Sequence, residues 1–222
     1  CPTLVLHRSS DIDERHARYV ADRIPGARYV GVPGEGPVWA ADEAFAEVQH
    51  FLTGTRRPAR SDRVLATVLF TDIVRSTERA AALGDAAWRS VLERHGALVR
   101  EEVERNRGRW VKSLGDGALA VFDGPSRAIR GATAIRDRAG ELGLEIRAGL
   151  HTGECELLPD EDIGGLAVHI AARVSALAGA GEVLVSGTVR DLSIGSGLTM
   201  ADRGEHELKG VPGPWRIYAV TP

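Results

Sequence analysis

Val64-Leu-Ala-Thr-Val-Leu-Phe-Thr-Asp-Ile-Val-Arg-Ser-Thr77 joins an apolar run to a polar cluster ahead of a helical pattern. Its first half is β-branched and aliphatic, the pattern of a strand buried on both faces. The run closes on Phe70-Thr71-Asp72, and the polar Arg75-Ser76-Thr77 leads into a helical pattern. Asp72 therefore sits where a strand hands over to a helix. Free N–H groups at a helix start attract phosphate, and a carboxylate there can hold a magnesium ion beside the phosphate. A plainer role is also open to it, capping the helix.

A second carboxylate shifts the balance. Trp110-Val-Lys-Ser-Leu-Gly-Asp-Gly-Ala-Leu-Ala-Val-Phe122 reads as two apolar strands around a tight turn at Gly115-Asp116-Gly117. An Asp-Gly hairpin needs no chemistry to explain it. A turn beside a buried strand end, however, can bring Asp116 next to Asp72. Two carboxylates so placed suit paired magnesium ions, about 3.5–4 Å apart in two-metal sites.

Three separated motifs then agree: Phe70-Thr-Asp-Ile-Val-Arg-Ser-Thr77, Lys112-Ser-Leu-Gly-Asp-Gly117 and Gly149-Leu-His-Thr-Gly-Glu154. In order and spacing they resemble the catalytic domain of class III nucleotidyl cyclases, from Arg63 to Val220. The resemblance implies an α+β fold, a ferredoxin-like βαβ sandwich. It also implies attack of a ribose 3′-hydroxyl on the α-phosphate of a nucleoside triphosphate, with Mg²⁺ or Mn²⁺ as cofactor, two ions per site. Asp72, Asp116 and the Ile73 carbonyl match the metal contacts. Lys112 matches the base-reading lysine and Asp162 the base-reading acid. An ammonium can donate to adenine N1 and a carboxylate can accept from N6, so ATP is the expected substrate, adenylate cyclase the expected activity and intracellular signal transduction the expected setting. The same pair can meet guanine in a shifted pose. A cyclase-fold regulatory or nucleotide-binding module with little turnover is the other reading.

Arg173 matches the arginine that stabilises the pentavalent phosphorus. Four positions earlier the family usually carries Asn; this chain has His169, which also donates a hydrogen bond but is bulkier and changes charge near neutral pH. Arg147 is expected on the terminal phosphates, and His151 in a structural role. In the family the metal acids of one subunit meet the Lys112, Asp162 and Arg173 equivalents of the other. A homodimer with two shared sites is implied.

Composition sets the outer bounds. The chain has 222 residues, 43% hydrophobic and 27% charged, as in ordinary globular proteins. A net charge of −3, from 31 acidic and 28 basic residues, points to no nucleic-acid partner. No apolar run reaches the roughly 20 residues of a membrane helix, and there is no secretory pattern. Cys1 and Cys155 make no disulfide framework, which fits a reducing cytoplasm.

Ahead of the cyclase-like region, residues 1–53 show strand–helix–strand–helix order: Thr3–Arg8, Asp13–Ile24, Arg28–Val32 and Ala44–Leu52. The order resembles the C-terminal end of an α/β-hydrolase, with Asp11 at the place of the triad acid. Glu35-Gly-Pro-Val-Trp39 stands where the triad histidine belongs, so hydrolase chemistry is not expected and Asp11 reads as a helix cap. Opening on Cys1-Pro2 without Met, the segment reads as a remnant whose upstream neighbour is missing. Residues 54–62, with Arg56-Arg-Pro58, read as a linker. The cyclase-like domain follows at 63–222. Within it Leu144–Glu156 reads as a long strand, Ile163–Leu177 as a helix, and Leu198–Leu208 with Trp215–Val220 as a closing antiparallel pair, with helices expected on one face of the sheet.

Overall fold

The computed structural model describes residues 1–9, 14–33, 37–38, 42–54 and 63–221. Asp11, Trp39 and most of the expected linker lie outside the described residues. The chain divides into two compact units, Cys1–Ser61 and Asp62–Pro222.

In the first unit, β1 (Leu4–Arg8) and β2 (Arg28–Val32) pair in parallel, with helices α1 (Glu14–Arg23) and α2 (Asp42–Thr53). Parallel pairing needs a crossover, and α1 supplies it. Val32 and Ala44 form a small buried cluster with Leu6 and Val38 packed on it.

The second unit is built on β3 (Arg63–Ile73), the strand expected from the opening motif. Helices α3 (Ser76–Leu83) and α4 (Asp85–Arg105) follow, parted at Gly84. Then come β4 (Arg109–Ser113), β5 (Ala118–Phe122), α5 (Pro125–Glu141) and β6 (Ile146–Leu157). The order of these four strands in the sheet is β4-β5-β3-β6, with every neighbour antiparallel. Two βαβ-like halves interleaved in this way make the ferredoxin-like core.

After β6, a short strand β7 (Ile163–Gly164) pairs with it, and helix α6 (Leu166–Leu177) starts past Gly165. A helix from Ile163 was expected; pairing of its first two residues with Glu156 and Leu157 delays the start. Next are β8 (Val183–Ser186), helix α7 (Gly187–Leu192), β9 (Met200–Glu207) and β10 (Pro214–Val220). Helix α7 had no counterpart in the sequence reading. The sheet continues β6-β8-β10-β9, with β8 parallel to β6 and the closing pair antiparallel as anticipated.

Alternation along the strands sends side chains to two cores. Leu69 and Ile73 of β3, with Ile146, Ala148 and Leu150 of β6, meet α4, α5 and α7. Ala66 and Val68, on the opposite face, meet Ala167 and Ala171 of α6. Helices therefore cover both faces of the sheet, where the sequence suggested one. Small residues let α6 lie close: a Cβ on Gly149 of β6 would stand 2.0 Å from the backbone nitrogen of Ser175. Trp88 packs against the larger core. The buried Glu102 carboxylate takes hydrogen bonds from Arg105 at 3.0 Å and Arg138 at 2.6 Å, tying α4 to α5.

Candidate active site

Asp72 is the penultimate residue of β3, and antiparallel register sets it opposite Arg147 on β6. Both point to the face that α6 covers. The Arg147 Nε donates to Asp72 Oδ2 at 2.9 Å, and Nη2 donates to the same oxygen. Asp72 is thus no helix cap; the residue at the start of α3 is Arg75, and it makes no side-chain cap. Because both contacts fall on Oδ2, the second carboxylate oxygen keeps its lone pairs.

Asp116 lies in the turn joining β4 and β5, and that turn is pressed against the end of β3. Thr71 pairs with Ala118, and a Cβ on Gly117 would stand 2.4 Å from the Thr71 carbonyl oxygen and 3.6 Å from the Asp72 Cα. Only glycine permits this approach. The fold therefore carries the Asp116 turn to the strand end that holds Asp72 and the Ile73 carbonyl.

Lys112 reaches its place through a β-bulge. The register shifts between Trp110 and Lys112, so Trp110 stands opposite Ala120 of the larger core and Lys112 opposite Leu119, on the α6 face. There its Nζ donates to Asp162 Oδ2 at 2.5 Å. Asp162 Oδ1 accepts from the Ile163 N–H at 2.8 Å. The lysine, then the amide, hold the Asp162 carboxyl below its ordinary range. Arg109, three residues before Lys112, donates to the Glu161 carbonyl and ties the same loop to β4.

His169 and Arg173 are one turn apart on the outer face of α6, and both are exposed. Leu166 and Leu177, 54% and 40% exposed, flank them along the same stripe. His151 is buried elsewhere: its Nδ1 meets the Ser186 hydroxyl at 2.8 Å and its ring meets Trp215 edge-on at 5.4 Å. Burial pushes its pKa down to about 4, so it is neutral and structural, as expected.

The family model for the adenylate and guanylate cyclase catalytic domain matches residues 59–222. The chain belongs to this family. An adenylate cyclase of Podospora anserina is 26% identical over 222 residues, which cover 71% of this chain and 10% of that protein. The adenylyl cyclase CyaB from P. aeruginosa aligns with TM-score 0.68 and 25% identity over 72% of this chain and 95% of that one. The guanylate cyclase domain of RhGC from Catenaria anguillulae, solved with GTP, shares the fold at TM-score 0.65 and 23% identity, over 72% and 98%. The chain spans about a third or less of the length of the curated relatives it matches. No helix among the described residues is long and apolar enough to cross a membrane.

Among the described residues of this cyclase domain, no three His, Cys, Asp or Glu side chains are grouped to hold a metal. The donors expected from the sequence are instead two carboxylates and a main-chain carbonyl, all hard oxygens. Magnesium is commonly bound by one or two carboxylates completed by substrate phosphates rather than by an all-protein cage. With Asp72 Oδ1 free of Arg147, the set fits such an ion.

Sequence reasoning missed the Asp72–Arg147 pair, which depends on strand register, and the Arg109 tether. It also passed over His95. That residue occurs three positions after Leu92 and four before Val99, on the buried stripe of α4; a polar residue in phase with that stripe was the available signal.

Proposed function

We propose that this cyclase domain converts ATP to 3′,5′-cyclic AMP and pyrophosphate. The preformed Lys112–Asp162 pair carries the choice of adenine. Beyond their mutual bond the ammonium has hydrogens left to give and the carboxylate lone pairs left to take, the complement of adenine N1 and N6. In the reaction the 3′ oxygen bonds to the α-phosphorus, the bond to the bridging β-phosphate oxygen breaks, and a proton is released. Asp72, Asp116 and the Ile73 carbonyl would hold two Mg²⁺ or Mn²⁺ ions. Bound there, the metals would lower the pKa of the 3′-hydroxyl and stabilise the leaving phosphates. Arg147 orients the Asp72 carboxylate and keeps its Nη1 available to the terminal phosphates. His169 holds the ribose, and Arg173 stabilises the charge that grows on phosphorus.

The exposed stripe Leu166–His169–Arg173–Leu177 supports a shared site. Two functional side chains flanked by exposed leucines suit a surface that a second copy covers. In that arrangement Lys112, Asp162, His169 and Arg173 of one copy complete the metal site of the other.

The test is direct. Purified protein is given ATP or GTP with Mg²⁺ or Mn²⁺, and cyclic product and pyrophosphate are measured. Asp72→Ala and Asp116→Ala should each be inactive, and mixing Asp72→Ala with Arg173→Ala should restore activity through heterodimers with one intact site. Cyclic GMP as the main product would overturn the adenine assignment. Failure of the mixture, with subunit exchange demonstrated, would overturn the shared site.

A further inference from the structure

His95 sits on the buried stripe of α4 with 3% of its surface exposed, and neither ring nitrogen has a hydrogen-bond partner among the described residues. A buried polar group left without a hydrogen bond is destabilising. If filling space were the only need, leucine would serve this position better.

The imidazole borders a pocket of about 300 Å³ whose other walls include Leu92, Trp110, Ser113 and the Gly115–Gly117 turn. That volume admits several water molecules. Three charged groups also line it: Glu93, Arg100 and Asp116. Arg100 is engaged, its guanidinium 4.3 Å from the centre of the Trp110 ring. Asp116 is the one whose charge acts on His95, opposing the lowering of the imidazole pKa by burial. The two carboxylates of the metal site therefore differ in their support. Asp72 is anchored by Arg147, while the Asp116 side chain has no hydrogen bond or ion pair among the described residues. A metal-binding carboxylate is ordinarily oriented by a hydrogen bond from behind.

We propose that His95 is a positioning residue for Asp116: through water in this pocket its ring N–H holds the Asp116 carboxylate in the orientation that binds metal. The inference rests on the reading of Asp116 as a metal ligand. It gives the two carboxylates matching supports on opposite sides of the sheet end, an arginine for one and a histidine for the other.

The test uses His95→Leu, which fills the position without hydrogen bonding, and His95→Gln, which restores a donor. Mn²⁺ is titrated into protein loaded with 3′-deoxy-ATP, which cannot cyclise, and the free ion is counted by electron paramagnetic resonance. Turnover of ATP and thermal midpoints are measured alongside. His95→Leu should melt no lower than the wild type, yet bind Mn²⁺ about 10-fold more weakly, and His95→Gln should recover most of that loss. If His95→Leu does not fold, His95→Met takes its place with the same expectation. Wild-type Mn²⁺ binding in the apolar variant would overturn the proposal. So would equal losses in the apolar and Gln variants that follow their thermal midpoints. Asp116→Ala separates this from the underlying reading. If it still binds Mn²⁺ and turns over, the metal assignment itself has failed. If it is dead while His95→Leu is normal, only the role of His95 falls.

Discussion

Gly117→Ala isolates what the close approach of two backbone segments contributes to the site. The added Cβ would begin 2.4 Å from the Thr71 carbonyl oxygen, and its neighbours there are main chain, which has no rotamer to yield. Restoring a separation of 3.0–3.4 Å requires the turn to retreat from β3 by 0.6–1.0 Å. Asp116, the preceding residue, must move with it and away from Asp72. Misplacement by about 1 Å at a reacting centre can cost on the order of 10²-fold in rate. Overpacking of this kind also costs roughly 1–3 kcal/mol of stability, or roughly 2–4 °C in thermal midpoint for each kcal/mol in a domain of this size.

The assay compares turnover at saturating ATP and Mn²⁺ with the folded fraction at the same temperature. Gly124→Ala, where an added Cβ meets nothing within 4 Å, serves as the control. The expected result is a folded variant whose turnover falls about 10²-fold while the control stays active. Near-normal turnover in Gly117→Ala would refute the dependence of catalysis on this contact. A loss matching only the unfolded fraction would do the same.

Other substitutions probe the remaining groups. Arg173→Ala should lower turnover by about 10²–10³-fold with little change in ATP affinity, because its partner charge appears only in the transition state; a change confined to affinity would assign it to ground-state phosphate. His169→Asn should keep or raise turnover while His169→Ala lowers it, and equal rates in all three forms would remove this residue from ribose positioning. Protonation of His151 is suppressed by burial, its pKa falling from 6.5 to about 4. The unfolded chain therefore binds more protons in that window, and stability is full above about pH 6.5 and declines as pH falls toward 4. Urea unfolding at pH 7.5 and 5 should differ by about 2 kcal/mol from this group, and His151→Gln should remove that share; an unchanged slope would refute it.

The centre of the cyclase unit was legible because β5 and most of β3 are buried on both faces and read as apolar runs. β3, β5 and β6 were expected within a few residues of where they lie. The failures share a cause. Ile163-Gly164 continues the apolar pattern of α6, and only a hydrogen-bonding neighbour, β6, makes it a strand. Helix α7 is six residues long, too short to show a periodicity of its own. Placement of α6 on the far face follows from Gly149 and from Ala167 and Ala171, small residues whose meaning appears only when the packed partner is known.

The site divides along the same line. The resemblance of its motifs to the family singled out Asp72, Asp116, Lys112, Asp162 and Arg173 as candidates for the proposed site. What orients those charges could not be located in this way. Arg147 reaches Asp72 from 75 residues away through register. Lys112 faces Asp162 only because a bulge turns it across the sheet. His95 meets the Asp116 turn only through the packing of α4 on β4 and β5. A side chain that makes contact with the substrate tends to sit in a local motif, because a turn or helix end must present it. A side chain that holds another in place is free to come from any element that passes nearby. The supports of this site are therefore where structure adds most to sequence, and the His95 variants test the least visible of them.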